Sequence, residues 1–221
     1  MCKKVTLIWA LMCMFVMTSL AANKRVTLVI DPGHGGHDAG ALGAISKEKN
    51  INLAVALRFG KYVEQNLPEV RVIYTRTKDV FIPLNERANI ANRANADLFI
   101  SVHTNALPAG KVARGFEIYT LGMHRAKDNL DVAMRENSVI SMEKDYQQRY
   151  QGFDPRSSES YIIFEFIQGK NMERSVDLAR MIQRGVCDGA NRPDKGVHQA
   201  GFLVLRETSM PGCLIELGFI T

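Results

Sequence analysis

Two histidines and two glutamates in this chain are of the residue types that a hydrolytic zinc site requires. They are His34, Glu48, His103 and Glu216, and each lies at the edge of an apolar run. A Zn²⁺ site that activates water uses three protein ligands, such as two histidines and one glutamate, and keeps a fourth position open. A further glutamate can move the proton. The four residues therefore predict a hydrolase, provided that the fold brings them together.

Each of the four residues also has a simpler interpretation when it is considered alone. His34 lies in a glycine-rich segment and could be an exposed turn residue, while His103 could be a hydrogen-bonded core histidine. Glu48 precedes a predicted helix, where the helix dipole favours a carboxylate whatever its role. Glu216 is the strongest candidate, because a carboxylate inside an apolar strand is costly to bury unless it is paired, bound to a metal or functional.

The predicted secondary structure alternates between strands and helices. Strands are predicted at residues 25–30, 70–75, 98–103, 115–120, 202–205 and 213–217, and helices at residues 50–65, 83–96 and 175–187. This alternation predicts a single α/β domain with a mostly parallel or mixed central sheet and helices on both faces. Functional sites in such sheets lie at the carboxyl ends of strands. His34, His103 and Glu216 all lie late in or just after predicted strands, so we expect them to converge.

Residues 124–170 interrupt the alternation. The segment is polar and rich in charge, and a helix is predicted within residues 127–150. A segment of this length outside the sheet pattern is usually a functional lid or a mobile insertion. We therefore expect an inserted helical segment in an otherwise regular domain.

The first 21 residues have the pattern of a secretory signal. Lys3 and Lys4 precede an apolar run at 5–16, and small residues suit cleavage after Ala21. An uncleaved membrane anchor is the alternative, but the apolar run is short for a membrane span. The bulky Met12 argues against a lipoprotein signal. We expect export, to the periplasm or the outside according to the envelope type, with no stable membrane anchor after cleavage.

Cleavage would change the charge and the cysteine content of the chain. It removes two lysines and no acidic residue, so the net charge falls from +5 to +3. No lysine and arginine block is dense enough to predict nucleic-acid binding. Two cysteines remain, Cys187 and Cys213. An oxidising compartment permits a disulfide, but a buried free thiol is the simpler expectation for Cys213, which lies in an apolar strand.

Five ordered segments carry a resemblance to a known family. They are residues 29–36 with Asp38 and Gly40, residues 47–53, residues 84–94 leading into 96–106, residues 196–197 with 202–206, and residues 210–220. Together they resemble the zinc-dependent N-acetylmuramoyl-L-alanine amidases of bacterial cell walls, the amidase-3 family, over about residues 26–221 apart from the insertion. The cell-separation type is the most similar.

The resemblance implies a role for each of the four residues. His34, Glu48 and His103 would bind one Zn²⁺ per chain, and Glu216 would be the catalytic carboxylate. The bond cleaved would be the amide between the lactyl group of N-acetylmuramic acid and the L-alanine of the stem peptide. Peptidoglycan is the expected substrate, for wall remodelling or daughter-cell separation, and we expect a monomer.

Other polar residues near these motifs have less certain roles. Asp38 and Asn105 could support the metal ligands or simply hold turns. Arg206 could bind an anionic group of the peptide stem or pair with a structural acid. The remaining histidines are expected not to bind the metal; they are His37, His124 and His198.

The chain departs from the family pattern in two places. The last strand in the family is followed by an Asn-rich turn and a closing helix, which are absent here, so we expect the sequence to be incomplete at its C-terminus. In some relatives that split daughter cells, an inserted helix blocks the metal until an activator protein displaces it. Residues 131–140 are similar to that helix. We hypothesise that Glu136 caps the open zinc position in a resting form; the alternative is that the helix forms a substrate-binding wall.

Three rival functions remain open at this point. One is a zinc peptidase that acts on peptidoglycan stem peptides, which its products would reveal. Another is a non-catalytic cell-wall-binding module, although all four chemical residues are present. The last is a structural envelope protein with incidental histidines, which would contain no zinc.

Overall fold

A six-stranded mixed sheet forms the centre of the molecule. The computed structural model describes residues 25–108, 110–124, 126–165 and 171–221, so the predicted export signal lies outside the described residues. The strands, in the spatial order β2-β1-β3-β6-β4-β5, are β1 (Val26–Pro32), β2 (Val70–Tyr74), β3 (Leu98–Asn105), β4 (Phe116–Leu121), β5 (Asp194–Ala200) and β6 (Gly212–Phe219). Strands β2, β1, β3 and β6 are parallel, whereas β4 is antiparallel to β6 and parallel to β5.

Helices cover both faces of this sheet. They are α1 (Glu48–Asn66), α2 (Leu84–Arg93), α3 (Lys127–Asn137), α4 (Tyr146–Arg149), α5 (Met172–Ala190) and α6 (Leu203–Arg206), with 3₁₀ helices at Ser138–Met142 and Ser158–Glu165. The predicted single-domain α/β class, with a mixed sheet, helices on both faces and an inserted helical segment, is confirmed.

Alternate residues of each strand pack into two separate apolar layers, one on each face of the sheet. On β3, Phe99 packs in one layer and Ile100 in the other, because successive side chains of a strand point to opposite faces. The layer of Ile100 contains α1 and α5, whereas the layer of Phe99 contains α2, α6 and the insertion. None of the described helices is long and apolar enough to cross a membrane.

Two local predictions were wrong. A helical turn, Leu203–Arg206, stands where a strand was predicted at residues 202–205, with the amide of Arg206 bonded to the carbonyl of Phe202. A four-residue apolar run is too short to show a helical or a strand period. The strand β5 was not predicted, because this edge strand is mostly polar and only half-buried, so it lacks the apolar run that identifies a strand.

The insertion is a packed part of the domain. Its helix α3 begins and ends within the predicted range, and it contributes Val132 and Ala133 to the core. Further along, Ile140 and Tyr161 are completely buried in the same layer. The described part of the inserted segment therefore packs against one face of the sheet.

Candidate metal centre

The parallel pairing of three strands gathers the predicted residues at one edge of the sheet. Strand β1 ends at Pro32, two residues before His34, and its neighbour β3 contains His103. Strand β6 pairs with β3 so that Glu216 lies directly opposite His103. Glu48 is the first residue of α1, whose first turn lies at the same edge. The expected convergence at the carboxyl ends of the strands is what the geometry shows.

Four buried side chains point their ligand atoms at one another. His34, Glu48, His103 and Glu136 each offer one such atom, and the four atoms lie within 4.8 Å of one another. Nε2 of His34 lies 3.1 Å from Glu48 Oε1 and 3.1 Å from Glu136 Oε2. Nδ1 of His103 lies 3.2 Å from Glu48 Oε1 and 3.0 Å from Glu136 Oε2.

This donor set fits a metal ion. His34 Nε2 and Glu136 Oε2 are buried, and neither has a hydrogen-bond partner of acceptable geometry, although the two atoms are close. Buried polar atoms are normally satisfied, so atoms that converge without bonding are suited to a shared cation. Two imidazoles with carboxylates are ligands that zinc accepts in hydrolytic sites. The group could therefore hold a metal ion.

Neighbouring residues orient His34 and Glu48. Asp38 Oδ2 lies 2.7 Å from His34 Nδ1, which leaves Nε2 facing the centre. Glu48 Oε1 accepts hydrogen bonds from Asn52 Nδ2 at 3.1 Å and from the amide of Thr104 at 3.0 Å. Partners of this kind fix the geometry of a ligand and tune its basicity.

The close packing of these groups perturbs their pKa values. Burial opposes a charge on His34, yet its contact with Asp38 and the nearby carboxylates of Glu136 and Glu48 raise its pKa well above the usual range. Burial acts in the same sense on His103, but Glu136 and Glu48 raise its pKa to about 9. In the metal-free protein the two histidines therefore hold protons that balance the carboxylates, and a metal ion would have to replace those protons.

Glu216 is a completely buried carboxyl at the edge of this group. Burial, followed by the negative charge of Glu136, raises its pKa well above the usual range. Neither of its oxygens has a hydrogen-bond partner among the described residues, and Arg135 Nη2 lies 3.8 Å from Oε1. A buried carboxyl without a hydrogen bond is costly to maintain, which is typical of a functional group rather than a structural one.

The insertion closes the centre from above. Glu136 comes from the last turn of α3, and Arg135 next to it donates to Asn105 Oδ1 at 2.9 Å and to Glu136 Oε1 at 3.0 Å. The cavity beneath, lined partly by Glu136 and Val139, has a volume of about 10 Å³. This volume holds about one water molecule, so no substrate can enter in this conformation.

Comparison with known proteins identifies the family. Residues 28–221 match the family model described as N-acetylmuramoyl-L-alanine amidase. The chain belongs to this family. Among curated relatives, the amidase AmiA of Escherichia coli strain K12 is 32% identical over 204 residues, which cover 91% of this chain and 68% of AmiA. The sporulation-specific amidase of Bacillus subtilis strain 168 is 33% identical over 195 residues, 88% of this chain and 56% of that protein.

Solved amidase structures share the fold of this family member. The N-acetylmuramoyl-L-alanine amidase of Clostridium difficile 630 is 28% identical with a TM-score of 0.63, over 89% of this chain and 81% of that one. AmiC2 of Nostoc punctiforme is 27% identical with a TM-score of 0.61, over the same shares of the two chains. The resemblance seen in the sequence motifs is thus confirmed at the level of family and fold.

Other residues predicted in this amidase chain have different surroundings. Asp38 contacts a predicted ligand, but the side chain of Asn105 bonds to Glu117 and Arg135 instead. Arg206 donates to Glu207 Oε1 at 2.7 Å and lies over the ring of Phe153.

The remaining histidines and the cysteines lie outside the four-residue group. His37 stacks on Phe81, and His198 lies beside the carbonyl of Lys195; neither belongs to that group, and nor does His124. Cys187 and Cys213 are both free thiols. Burial raises the pKa of Cys213 to about 12, which makes that thiol unreactive at neutral pH.

Proposed function

We propose that this chain hydrolyses the amide bond between N-acetylmuramic acid and L-alanine in peptidoglycan, with His34, Glu48 and His103 as ligands of one zinc ion. The observation that carries the proposal is the convergence of these three buried side chains beside Glu216 in a member of the amidase family. Bound zinc makes water a better nucleophile at neutral pH and polarises a carbonyl group.

Glu216 is proposed as the residue that moves the proton. Its strand β6 runs beside β3, so its carboxyl faces the same edge as His103. It would accept a proton from the attacking water and then donate it to the leaving nitrogen of the L-alanine residue. The raised pKa of Glu216 makes its ionised carboxylate a stronger base toward the attacking water than an ordinary glutamate, and a group that both accepts and returns a proton works best with a pKa near the operating pH.

Glu136 is proposed to cap the fourth ligand position in a resting form. Its Oε2 lies about as close to the two histidines as the oxygen of Glu48 does, and the cavity is too small for a sugar or a peptide. An activator protein that displaces α3 would open the site. A wall that binds substrate, the alternative, would require space beside Glu136.

The cellular setting is part of the same proposal. Residues 1–21 would direct export and be removed, and residues 25–221 would form the catalytic domain with its insertion at 124–170. The substrate then lies in the periplasm or outside the cell, according to the envelope type. Within the described residues, both cysteines are free, so an oxidising compartment is not required for the fold.

Mass spectrometry of the products tests the proposal directly. The purified protein is incubated with peptidoglycan, with and without a zinc chelator. An Asn137→Ala form is tested beside it, because Asn137 bonds the end of α3 to Gly201 and Leu203 and its loss should loosen the insertion over the site. Chelator-sensitive release of intact stem peptides that begin with L-alanine is expected. Release of shorter peptides would indicate a peptidase. A folded protein that binds no zinc and releases nothing in either form would favour a wall-binding or structural role.

A further inference from the structure

The loop that carries His34 has a backbone conformation that must be held in place. His34 itself has φ 61°, in the left-handed region, and Gly35 and Gly36 that follow also have positive φ. A non-glycine residue in this region is strained and keeps that conformation only when the surrounding structure holds it there. A β-carbon at Gly33 would collide with the ring of His103. The loop is therefore both strained and tightly packed against the second histidine.

Arg87 holds this loop from helix α2. Its Nη1 donates to the carbonyl of Pro32 at 2.8 Å, and its Nη2 donates to the carbonyl of His34 at 2.9 Å. The guanidinium is 2% exposed and pairs with Asp31 Oδ1 at 2.8 Å. The ion pair neutralises a buried charge, while the remaining donors bind the backbone on both sides of Gly33.

Arg76 binds the same loop from the end of β2. Its Nε donates to the carbonyl of Pro32 at 2.9 Å, and its Nη2 donates to the carbonyl of Gly33 at 2.8 Å. The same Nη2 reaches the carbonyl of Lys49 at 2.9 Å, one residue after the predicted ligand Glu48. A single guanidinium thus connects the backbones that carry two predicted ligands.

Lys49 completes the set from the first turn of α1. Its Nζ donates to the carbonyl of Gly36 at 2.8 Å and pairs with Asp79 Oδ2 at 2.6 Å. The other oxygen of Asp79 accepts the amide of Gly36 at 2.7 Å. Both backbone groups of Gly36 are therefore bound by charged side chains.

We propose that Arg76, Arg87 and Lys49 form a carbonyl clamp, a set of positioning residues that holds the His34 loop ready for the metal ion. The three cations come from three different elements and bind the carbonyls of residues 32, 33, 34 and 36. The inference rests on the proposed metal centre. Charge-assisted bonds are roughly twice as strong as neutral ones, so together they keep the strained His34 backbone in its metal-binding conformation.

Zinc affinity, measured by competition with a chromophoric chelator, tests the clamp. Arg76→Met is expected to raise the zinc dissociation constant about 10- to 100-fold, the usual cost of losing a residue that supports a ligand. Arg76→Lys should restore only part of the affinity, because one ammonium group cannot replace a planar guanidinium that donates to several carbonyls. The visible spectrum of the cobalt-substituted protein should also change, since it reports the arrangement of the ligands.

Two further variants make the result decisive. Lys49→Met removes the most accessible contact of the clamp and should also weaken zinc binding, so it decides the question if the Arg76 variants do not fold. Arg93→Gln is the matched control, because Arg93 lies on α2 but is exposed and pairs only with Glu86 among the described residues. Its zinc affinity should equal that of the wild type.

The outcomes separate the clamp from the metal centre itself. If folded clamp variants bind zinc as tightly as the wild type, with an unchanged cobalt spectrum, the clamp is overturned and the metal centre stands. A lower melting temperature without a change in zinc affinity has the same meaning, because it indicates a purely structural role. If the wild type binds no zinc, both proposals fail together.

Discussion

Asn137 offers a way to test the proposed blocking role of Glu136 without altering any group of the metal centre. It follows Glu136 in the chain and is 1% exposed. Its Nδ2 donates to the carbonyl of Gly201 at 2.7 Å and to Tyr161 Oη at 3.1 Å, and its Oδ1 accepts the amide of Leu203 at 3.0 Å. The bonds to Gly201 and Leu203 anchor the end of α3 to the rest of the domain, whereas the bond to Tyr161 lies within the insertion.

The expected size of the effect follows from the two bonds, to Gly201 and Leu203, that join the insertion to the rest of the domain. Each is worth about 1 kcal/mol net, so Asn137→Ala should weaken docking of the closed insertion by about 2 kcal/mol. That free energy corresponds to a roughly 30-fold rise in the ratio of open to closed molecules. Because basal activity is proportional to the open fraction while that fraction is small, hydrolysis of peptidoglycan should rise by up to the same factor.

The assay combines dye release from labelled peptidoglycan with hydrogen exchange of residues 127–165. Faster exchange in this segment would show that the insertion has been loosened. Asn66→Ala is the control, because Asn66 bonds only the carbonyl of Tyr62 at the exposed end of α1 among the described residues. A folded, zinc-loaded Asn137→Ala protein with faster exchange but equal or lower activity would refute the blocking role and favour a substrate-binding wall.

Three other substitutions test the remaining parts of the site. Glu216→Gln should reduce hydrolysis by about 10²- to 10⁴-fold with unchanged zinc content by elemental analysis, and a loss of zinc would contradict the role given to Glu216. Asp38→Asn should raise the zinc dissociation constant about 10- to 100-fold, because His34 Nδ1 loses an anionic partner; equal affinity would argue against that support. Asp31→Asn should lower the free energy of unfolding by about 3–5 kcal/mol, because the charge of Arg87 is then buried without a partner. Burial raises the pKa of Asp31, but Arg87, Thr75 and Ser101 outweigh burial and lower that pKa in the folded state. The contribution of Asp31 to the free energy of unfolding is therefore complete above about pH 4 and is lost as the pH falls through the lower folded pKa. Urea melts across this pH range should show that the variant loses less stability in acid than the wild type.

The positions of the chemical residues could be predicted because each one breaks a local pattern. Glu216 is a carboxylate in an apolar strand, and His34 follows a strand within a glycine-rich turn. Such contrasts are visible in a short window of sequence, and parallel strands bring their carboxyl ends together in any α/β sheet. The fold class was predictable for the same reason, because the strand and helix periods are local.

The residues that hold the site could not be predicted in the same way. In the sequence, Arg76 and Arg87 look like ordinary surface arginines. Nothing near them indicates that they donate to carbonyls of a loop about 40 to 55 positions earlier in the chain. The contact of Glu136 with the centre was expected only from the family resemblance, because α3 reads as a polar helix. Contacts between segments far apart in the chain leave no periodic signal.

The apolar packing of the insertion sets how an activator would have to work. Several insertion side chains share the core layer of the sheet, and they include Val132, Ala133, Ile140 and Tyr161. Burying a large apolar side chain stabilises the folded state by about 1.5–3 kcal/mol, so complete displacement of the segment costs more than the bonds of Asn137 alone. Spontaneous opening should therefore be rare, and a partner must supply the difference through its own contacts with the open form.

This requirement gives a quantitative link between the partner and Asn137. A ligand that binds only the open form gains affinity in proportion to the open fraction, so an activator should bind the Asn137→Ala protein up to about 30-fold more tightly than the wild type, the same factor by which basal activity rises. Titration calorimetry of both proteins with one activator preparation measures the two affinities. Equal affinities together with raised basal activity would mean that the activator does not prefer the open form, and such a partner cannot displace α3.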